Sequence, residues 1–377
     1  MISSPFQYGK IVSGSTFVNR TREKELLMQH FRSGVNTVLI SPRRWGKTSL
    51  VKEAIRLTPD KNLKFVFIDL FTIRDEREFL TVYAREVMKA TMNKREELLH
   101  DAREWFKKLL PVLSFGLDPS NEISIKFNWE EAVKYRDEII NLPEVIARQK
   151  GLRMVVCVDE FQNIAKFQEH LTIENELRSS WQHHQNVSYC ILGSKRHMML
   201  ELFNRQERPF YRFGDIILLD KIAVSEWIPF IIERFAGSGK TISGDDAGSI
   251  IRLMKNHPYY IQMYCDYVWT LTSDFVTNDI LERALDEMIA HSSFIFQEDV
   301  ENLSITQVNL IKAIISGETQ LTSKRVMDRY NLGTPRNVSR NREVLFNKDI
   351  LDTENDHISL LDPLFENWFR KTYTIIT

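Results

Sequence analysis

The stretch Thr37-Val38-Leu39-Ile40-Ser41-Pro42-Arg43-Arg44-Trp45-Gly46-Lys47-Thr48-Ser49-Leu50 decides how this 377-residue chain is read. The β-branched apolar run Thr37 to Ile40 predicts a strand, the next residues a tight turn, and Ser49 through Ala54 a helix. Such an order brings several backbone N–H groups and the positive end of a helix dipole to one point, as a polyphosphate requires. The residue types fit that purpose. Gly46 lets the backbone come close, Lys47 reaches the terminal phosphates, and the Thr48 hydroxyl ligates Mg²⁺. Ser41, Pro42, Arg43, Arg44, Trp45 and Ser49 complete the expected nucleotide-binding loop. Ser41 stands where the pattern G-x-x-x-x-G-K-[ST] has its first glycine, a change the turn tolerates if the Ser41 φ stays negative.

A second stretch, Gly237-Ser238-Gly239-Lys240-Thr241, imitates that core. Here Arg234 occupies the first-glycine position, and Ser225 to Phe235 has helical periodicity, so no strand feeds the loop. We read it as an interhelical turn.

Composition narrows the classes. The length allows two or three domains, and the formal net charge of -1 provides no global field toward nucleic acid or an anionic membrane. Cys157, Cys190 and Cys265 each lie in apolar or aromatic runs without disulfide or zinc spacing, so they are expected to be reduced core residues. With neither a leader-like start nor an apolar run near ~18 residues, a cytoplasmic protein without a membrane segment is expected.

Outward from the phosphate loop, an amphipathic helix from Asn19-Arg20-Thr21-Arg22-Glu23 to Gly34 precedes it. Leu63 to Leu70 is apolar almost throughout and predicts a strand covered on both faces, with Asp69 at the end where ligands of open α/β sheets bind. Helical pattern runs from Asp75 to Lys108. A hairpin follows about Asp118-Pro119-Ser120-Asn121, and then a helix from Trp129 to Gln149.

Met154-Val155-Val156-Cys157-Val158-Asp159-Glu160-Phe161-Gln162 is a buried strand ending in two carboxylates. Downstream of a phosphate loop, Asp159 suits the Mg²⁺ shell and Glu160 suits polarisation of an attacking water. Val187 to Leu192 ends in Gly193-Ser194, where Ser194 is read either as a hydrogen-bonding partner of the γ-phosphate or its water, or as part of a plain turn. A fifth strand, Ile216 to Leu219, follows Arg208 and Arg212, each a candidate arginine finger.

Alternating strands and helices make residues 1–220 an α/β core with inserted helices and a hairpin at about 75–150. Residues 221–300 show only helical periods, broken at His257-Pro258, and are expected to form a helical domain. In 301–377, three helical stretches and a short hairpin about Asn355-Asp356 predict a winged helix. Its third helix carries Arg336, Arg340 and Arg342, with Lys348 beyond. Ten basic residues against nine acidic ones from Ser304 onward leave DNA and a protein partner as equal alternatives.

The spacing of Phe17, Arg20 and Glu23, the Pro42-Arg43-Arg44-Trp45-Gly46-Lys47-Thr48-Ser49-Leu50 loop and Val158-Asp159-Glu160-Phe161-Gln162 resemble the archaeal-type ATPases of the STAND class within the AAA+ superfamily. The resemblance extends to His257-Pro258-Tyr259-Tyr260-Ile261-Gln262 and to Leu361-Asp362-Pro363-Leu364-Phe365-Glu366-Asn367-Trp368. It implies a parallel-sheet ATPase core with the phosphate-loop strand near its centre, a helical lid over ATP or ADP, and a C-terminal winged helix. It further implies that Pro258 packs against adenine, that Ser194 is a sensor, and that Arg212 is favoured over Arg208 as the finger. Lys195-Arg196 after Ser194 departs from the small or polar residues common there.

These expectations define an ATP- and Mg²⁺-dependent molecular switch activated by an arginine of a second copy in a homo-oligomer. A DNA-associated ATPase similar to origin-recognition initiators and a nucleotide-holding scaffold without turnover are the alternatives. No second substrate pocket for a small-molecule kinase is legible.

Overall fold

Runs of β-branched and aliphatic residues become the strands β1 (Thr37–Ile40), β2 (Leu63–Asp69), β3 (Leu113–Leu117), β4 (Ile123–Phe127), β5 (Arg153–Asp159), β6 (Val187–Gly193) and β7 (Asp215–Leu218). Five of them form one sheet in the order β2-β5-β6-β1-β7, and every pairing in it is parallel. The computed structural model describes residues 3–18, 20–92, 113–117, 123–127, 135–354 and 357–373. They divide into two compact units, Arg20–Asp220 and the combination of Met1–Asn19 with Lys221–Thr377.

The first unit holds the sheet. Because side chains alternate along a strand, Val38, Ile40, Val156, Val158, Tyr189 and Ile191 enter one core, while Leu39, Val155, Cys157, Cys190 and Leu192 are buried in alternation with them. Helices α1 (Thr21–Ser33) and α2 (Lys47–Arg56) flank β1 in sequence. Phe31 of α1 meets the edge of Phe65 at 5.3 Å, and Lys52 of α2 lies over the Phe67 ring. Helices α3 (Glu76–Thr91), α4 (Arg136–Lys150), α5 (His170–Trp181) and α6 (Arg196–Asn204) complete the unit. The hairpin β3–β4 forms its own two-stranded antiparallel sheet. The expected helix beyond Met92 to Lys108, the turn at Asp118–Asn121 and the helix start at Trp129 lie outside the described residues.

β2 is an edge strand with one neighbour: Val66 and Ile68 enter the core on one face, while Phe65 and Phe67, beside Phe31 and Lys52 on the other, are only half-buried. β1, the phosphate-loop strand, lies near the centre as expected, between the middle strand β6 and β7.

The second unit is helical. It contains α7 (Val224–Ala236), α8 (Gly244–Leu253), α9 (Pro258–Leu271) and α10 (Asn278–Glu301), followed by α11 (Ile305–Ile315), α12 (Lys324–Tyr330), α13 (Pro335–Asn347), the antiparallel hairpin β8 (Leu351–Glu354) and β9 (His357–Leu360), and α14 (Pro363–Tyr373). Its helices start where the sequence supplies caps. Ser304 and Gln307 form a capping box, and Ser323 and Thr334 cap α12 and α13. The apolar face of α9 is core, as Tyr260, Met263, Tyr264 and Val268 are buried there. Residues 1–19 cluster with this unit although the reading placed them with the sheet. Phe6 is buried against Phe230 and Phe235, Tyr8 meets Tyr259 edge-on, and Gln7 N–H donates to Gln262.

The Gly237–Thr241 loop joins α7 to α8, as read. Lys240 donates to the Trp269 carbonyl at 2.6 Å and lies 3.8 Å from the centroid of its indole ring, so it is engaged in packing. All three cysteines are buried thiols. Among the described residues, no helix is long and apolar enough to cross a membrane.

Candidate nucleotide site

In a parallel sheet all strands end on one edge, and here β1, β2, β5 and β6 deliver Ser41, Asp69, Asp159 and Ser194 to that edge. The turn after β1 is built from unusual backbone. Arg44 has φ 63° and Gly46 φ 87°, both left-handed, a conformation that glycine enters without the Cβ penalty. Ser41 keeps a negative φ, so its substitution for glycine is tolerated as expected; its N–H donates to the Gly193 carbonyl at 3.2 Å. Helix α2 then begins at Lys47, with Gly46 accepting from Leu50 N–H. Arg43 and Arg44 are exposed, whereas Pro42, Trp45 and Ser49 are buried.

Three of the charged residues read from the sequence converge. Lys47 Nζ lies 2.5 Å from Glu160 Oε1 and 3.3 Å from Asp159 Oδ1, with all three side chains largely buried. Thr48 Oγ1 donates to Asp159 Oδ2 at 2.5 Å, and Glu160 N–H donates to Asp159 Oδ1 at 2.8 Å. Glu160 has φ 53°, which turns its carboxylate back over the strand end. Ser194 Oγ donates to Glu160 Oε2 at 2.6 Å, and Gln162 Nε2 reaches the same oxygen at 2.5 Å. Burial pushes the Glu160 carboxyl up, but the Lys47 charge and the hydrogen bonds from Lys47, Ser194 and Gln162 outweigh it and hold it below the ordinary carboxylate range. Asp69, in register with Asp159, goes the other way: burial raises it, the Phe71 N–H offsets part of that, and the neighbouring carboxylates Asp159 and Glu160 add to the rise.

The donor set suits a magnesium ion carried with a polyphosphate. Thr48 and Asp159 offer adjacent hard oxygens, and among the described residues no group of three His, Cys, Asp or Glu side chains makes an all-protein metal cage.

Neither arginine candidate joins this cluster. Arg208 donates from Nη2 to Glu174 Oε1 at 2.8 Å, inside the core beside α5. Glu174 is fully buried, which pushes its carboxyl up to about 7 despite the Arg208 charge. Arg212 is exposed, takes φ 51° and stacks over Tyr211. Pro258 opens α9 in the second unit.

Gln162 is the site residue that sequence reading left without a role. It lies two positions beyond Glu160 in a 3₁₀ turn (Phe161–Lys166), which brings its amide back to the carboxylate.

Residues 17–264 match the family described as an ATPase domain predominantly from Archaea. The chain belongs to that archaeal ATPase family. Residues 294–371 match a probable winged helix domain. The fold of this archaeal-type ATPase is similar to that of a Walker-type ATPase of Pyrococcus abyssi, at 14% identity over 97% of this chain and 99% of that one, with a TM-score of 0.68. It is also similar to the ORC2 protein of Aeropyrum pernix in its ADPNP–ADP complexes, at 14% identity over 94% of each chain and a TM-score of 0.54. The ORC1 protein of the same organism, solved in complex with DNA, shares 12% identity over 95% of this chain and 94% of that one, with a TM-score of 0.50. No curated protein matches the chain.

Proposed function

We propose that this ATPase is a Mg²⁺-dependent molecular switch of the STAND type, in which Glu160 activates the water that attacks the γ-phosphate. The observation that carries the reading is the convergence of Lys47, Asp159, Glu160 and Ser194 at the end of the phosphate-loop strand and its neighbours. Lys47 binds the terminal phosphates, exchanging its carboxylate partners for phosphate oxygens. Thr48 and Asp159 would hold the metal, which would neutralise charge on the phosphate oxygens. Glu160 accepts the proton of water, and Ser194 keeps the carboxylate aimed. Pro258 contacts adenine, and Arg212 of a second copy supplies the charge-stabilising finger. Arg208, held by Glu174, is the weaker candidate.

Phosphate release with ATP and Mg²⁺ tests this. Glu160→Gln is expected to lower turnover by about 10²–10⁴-fold with ATP binding retained, because it removes a proton acceptor and keeps the shape. Lys47→Ala is expected to lose binding as well. Full hydrolysis in Glu160→Gln removes Glu160 from the mechanism; binding without any release in the wild type favours a scaffold that holds nucleotide.

A second reading is favoured by α13, where Arg336 and Arg340 are exposed and, among the described residues, neither forms an ion pair. In it, duplex DNA bound by the winged helix is the output that ATP regulates.

A further inference from the structure

We infer that Arg20 is a positioning residue for phosphate binding: its guanidinium fixes the orientation of the Trp45–Gly46 peptide and so aims the Gly46 N–H at the phosphate. The inference rests on the reading of residues 41–49 as a nucleotide-binding loop.

Arg20 is a buried cation, 6% exposed, whose guanidinium reaches three separated points of its unit. Nη1 donates to the Asp220 carbonyl at 2.9 Å and to Glu23 Oε1 at 3.1 Å, and Nη2 donates to the Trp45 carbonyl at 3.4 Å. Burial lowers its pKa, while the Glu23 charge favours the protonated form. Arg20 itself is left-handed, with φ 46°, an unfavourable conformation for an L-residue that places the start of α1 beside the loop.

The Trp45 carbonyl is the informative partner. In a trans peptide the C=O and the following N–H point in opposite directions, so the group that holds the carbonyl also decides where the amide points. At this peptide the backbone does not decide. Gly46 follows it with φ 87°, and glycine accepts the flipped peptide as readily as the observed one. The carbonyl is drawn toward Arg20, which directs Gly46 N–H to the opposite side. Among the described residues that N–H donates to no protein acceptor. The Asp220 carbonyl anchors the other side of the guanidinium just beyond β7, the strand paired with β1. Arg20 thereby ties the loop to the end of its neighbouring strand through a planar, multidentate group that lysine does not reproduce.

The test uses the full chain and four proteins: wild type, Arg20→Gln, Arg20→Lys and Lys47→Ala. Kd for ADP and ATP is measured by titration with fluorescent nucleotide analogues. Amide hydrogen exchange is followed, without nucleotide, over residues 41–46 and over the cores of β1 and α2. Arg20→Gln is expected to weaken both nucleotides by about tenfold, the scale of one charge-assisted hydrogen bond. Both Arg20 variants are expected to speed exchange over 41–46 severalfold, with the two flanking elements unchanged; a general loss of structure would accelerate all three. Arg20→Lys retains a buried cation and carries the test if Arg20→Gln does not fold. Wild-type affinity and wild-type exchange at 41–46 in the Arg20 variants, with binding lost in Lys47→Ala, overturn the inference. Wild-type binding in Lys47→Ala overturns the phosphate-loop reading instead.

Discussion

Ser194 and Gln162 donate to the same carboxylate oxygen, Oε2 of Glu160, at 2.6 and 2.5 Å. Their own side chains are 3.3 Å apart, so the two donors and the carboxylate form a closed triangle on one side of Glu160 while Lys47 occupies the other oxygen. A carboxylate held on both oxygens has few rotamers open to it, and that restriction is what a general base needs before water arrives.

The first prediction concerns this triangle. Ser194→Ala and Gln162→Met each remove one donor and leave the other. Each is expected to lower kcat by roughly tenfold with KM for ATP little changed, because in the proposed function both side chains act through the Glu160 carboxylate they hold. The double variant is expected to fall further than the product of the two, since only then does Oε2 lose all side-chain donors. Steady-state phosphate release reads both; a double variant no slower than either single one contradicts the triangle's role.

A second prediction comes from Glu174. Its Oε1 accepts from Arg208, but its Oε2 and the Arg208 Nε have no partners among the described residues. Burial holds its pKa at about 7 in the folded protein, above the ordinary value of 4.5. The unfolded chain therefore ionises this group first as pH rises. Its contribution to stability is fully present below about pH 4.5, is lost progressively up to about pH 7, and is level above that. Glu174→Gln removes this titration. Relative to wild type, the variant is expected to gain about 2–3 kcal/mol between pH 4.5 and 7.5. Urea unfolding of both proteins at the two pH values measures it, and a difference that stays constant would place the titration elsewhere.

How much of this was legible depends on how far each feature reaches along the chain. The phosphate loop is local: strand, turn and helix fall within the twenty residues from Thr37 to Arg56, and the structure has the strand at Thr37–Ile40 as read and a helix, Lys47–Arg56, that encloses the expected Ser49–Ala54. Asp159 and Glu160 are more than a hundred residues from Lys47, yet a buried apolar run ending in two carboxylates announces them by type. The pairing of Arg208 was not legible because its partner is hidden. Glu174 sits in an amphipathic helix where a glutamate ordinarily faces solvent, and only packing shows that it faces inward. Phe6 and Tyr8 lie in a turn-rich segment with no period, so their packing in the second unit left no pattern to read. The edge position of β2 was equally silent, since strand order is a tertiary fact that an apolar run does not encode.

The core of the first unit yields a third prediction. Trp181 stacks on Tyr189 with ring centroids 3.9 Å apart and also packs near Phe161, Phe210 and Phe213. Trp181→Ala leaves a cavity at the meeting point of α5, β6 and the Phe210–Phe213 segment. It is expected to destabilise the protein by about 3–5 kcal/mol. Denaturant unfolding checks the value, and a loss under about 1 kcal/mol would mean that the site collapses around the missing ring.

The last prediction separates the two readings of the winged helix. Helix α13 is amphipathic: Val338 and Leu345 are buried, while Arg336, Arg340, Ser339 and Asn337 are exposed, with Arg342 partly so. Other arginines of the domain are engaged, since Arg325 and Arg329 both pair with Glu318. If α13 lies against duplex DNA, its arginines neutralise phosphates and displace counterions, so affinity falls with salt at a slope set by their number. Replacing Arg336, Arg340 and Arg342 by alanine is then expected to weaken DNA binding and reduce the magnitude of that slope by roughly two to three. The same variant is expected to hydrolyse ATP like the wild type in the absence of DNA, because the three arginines belong to a different unit from the phosphate loop. Fluorescence anisotropy with a labelled duplex at several salt concentrations gives both quantities. An unchanged affinity and slope would assign DNA contact to another surface, or leave α13 as a face for a protein partner.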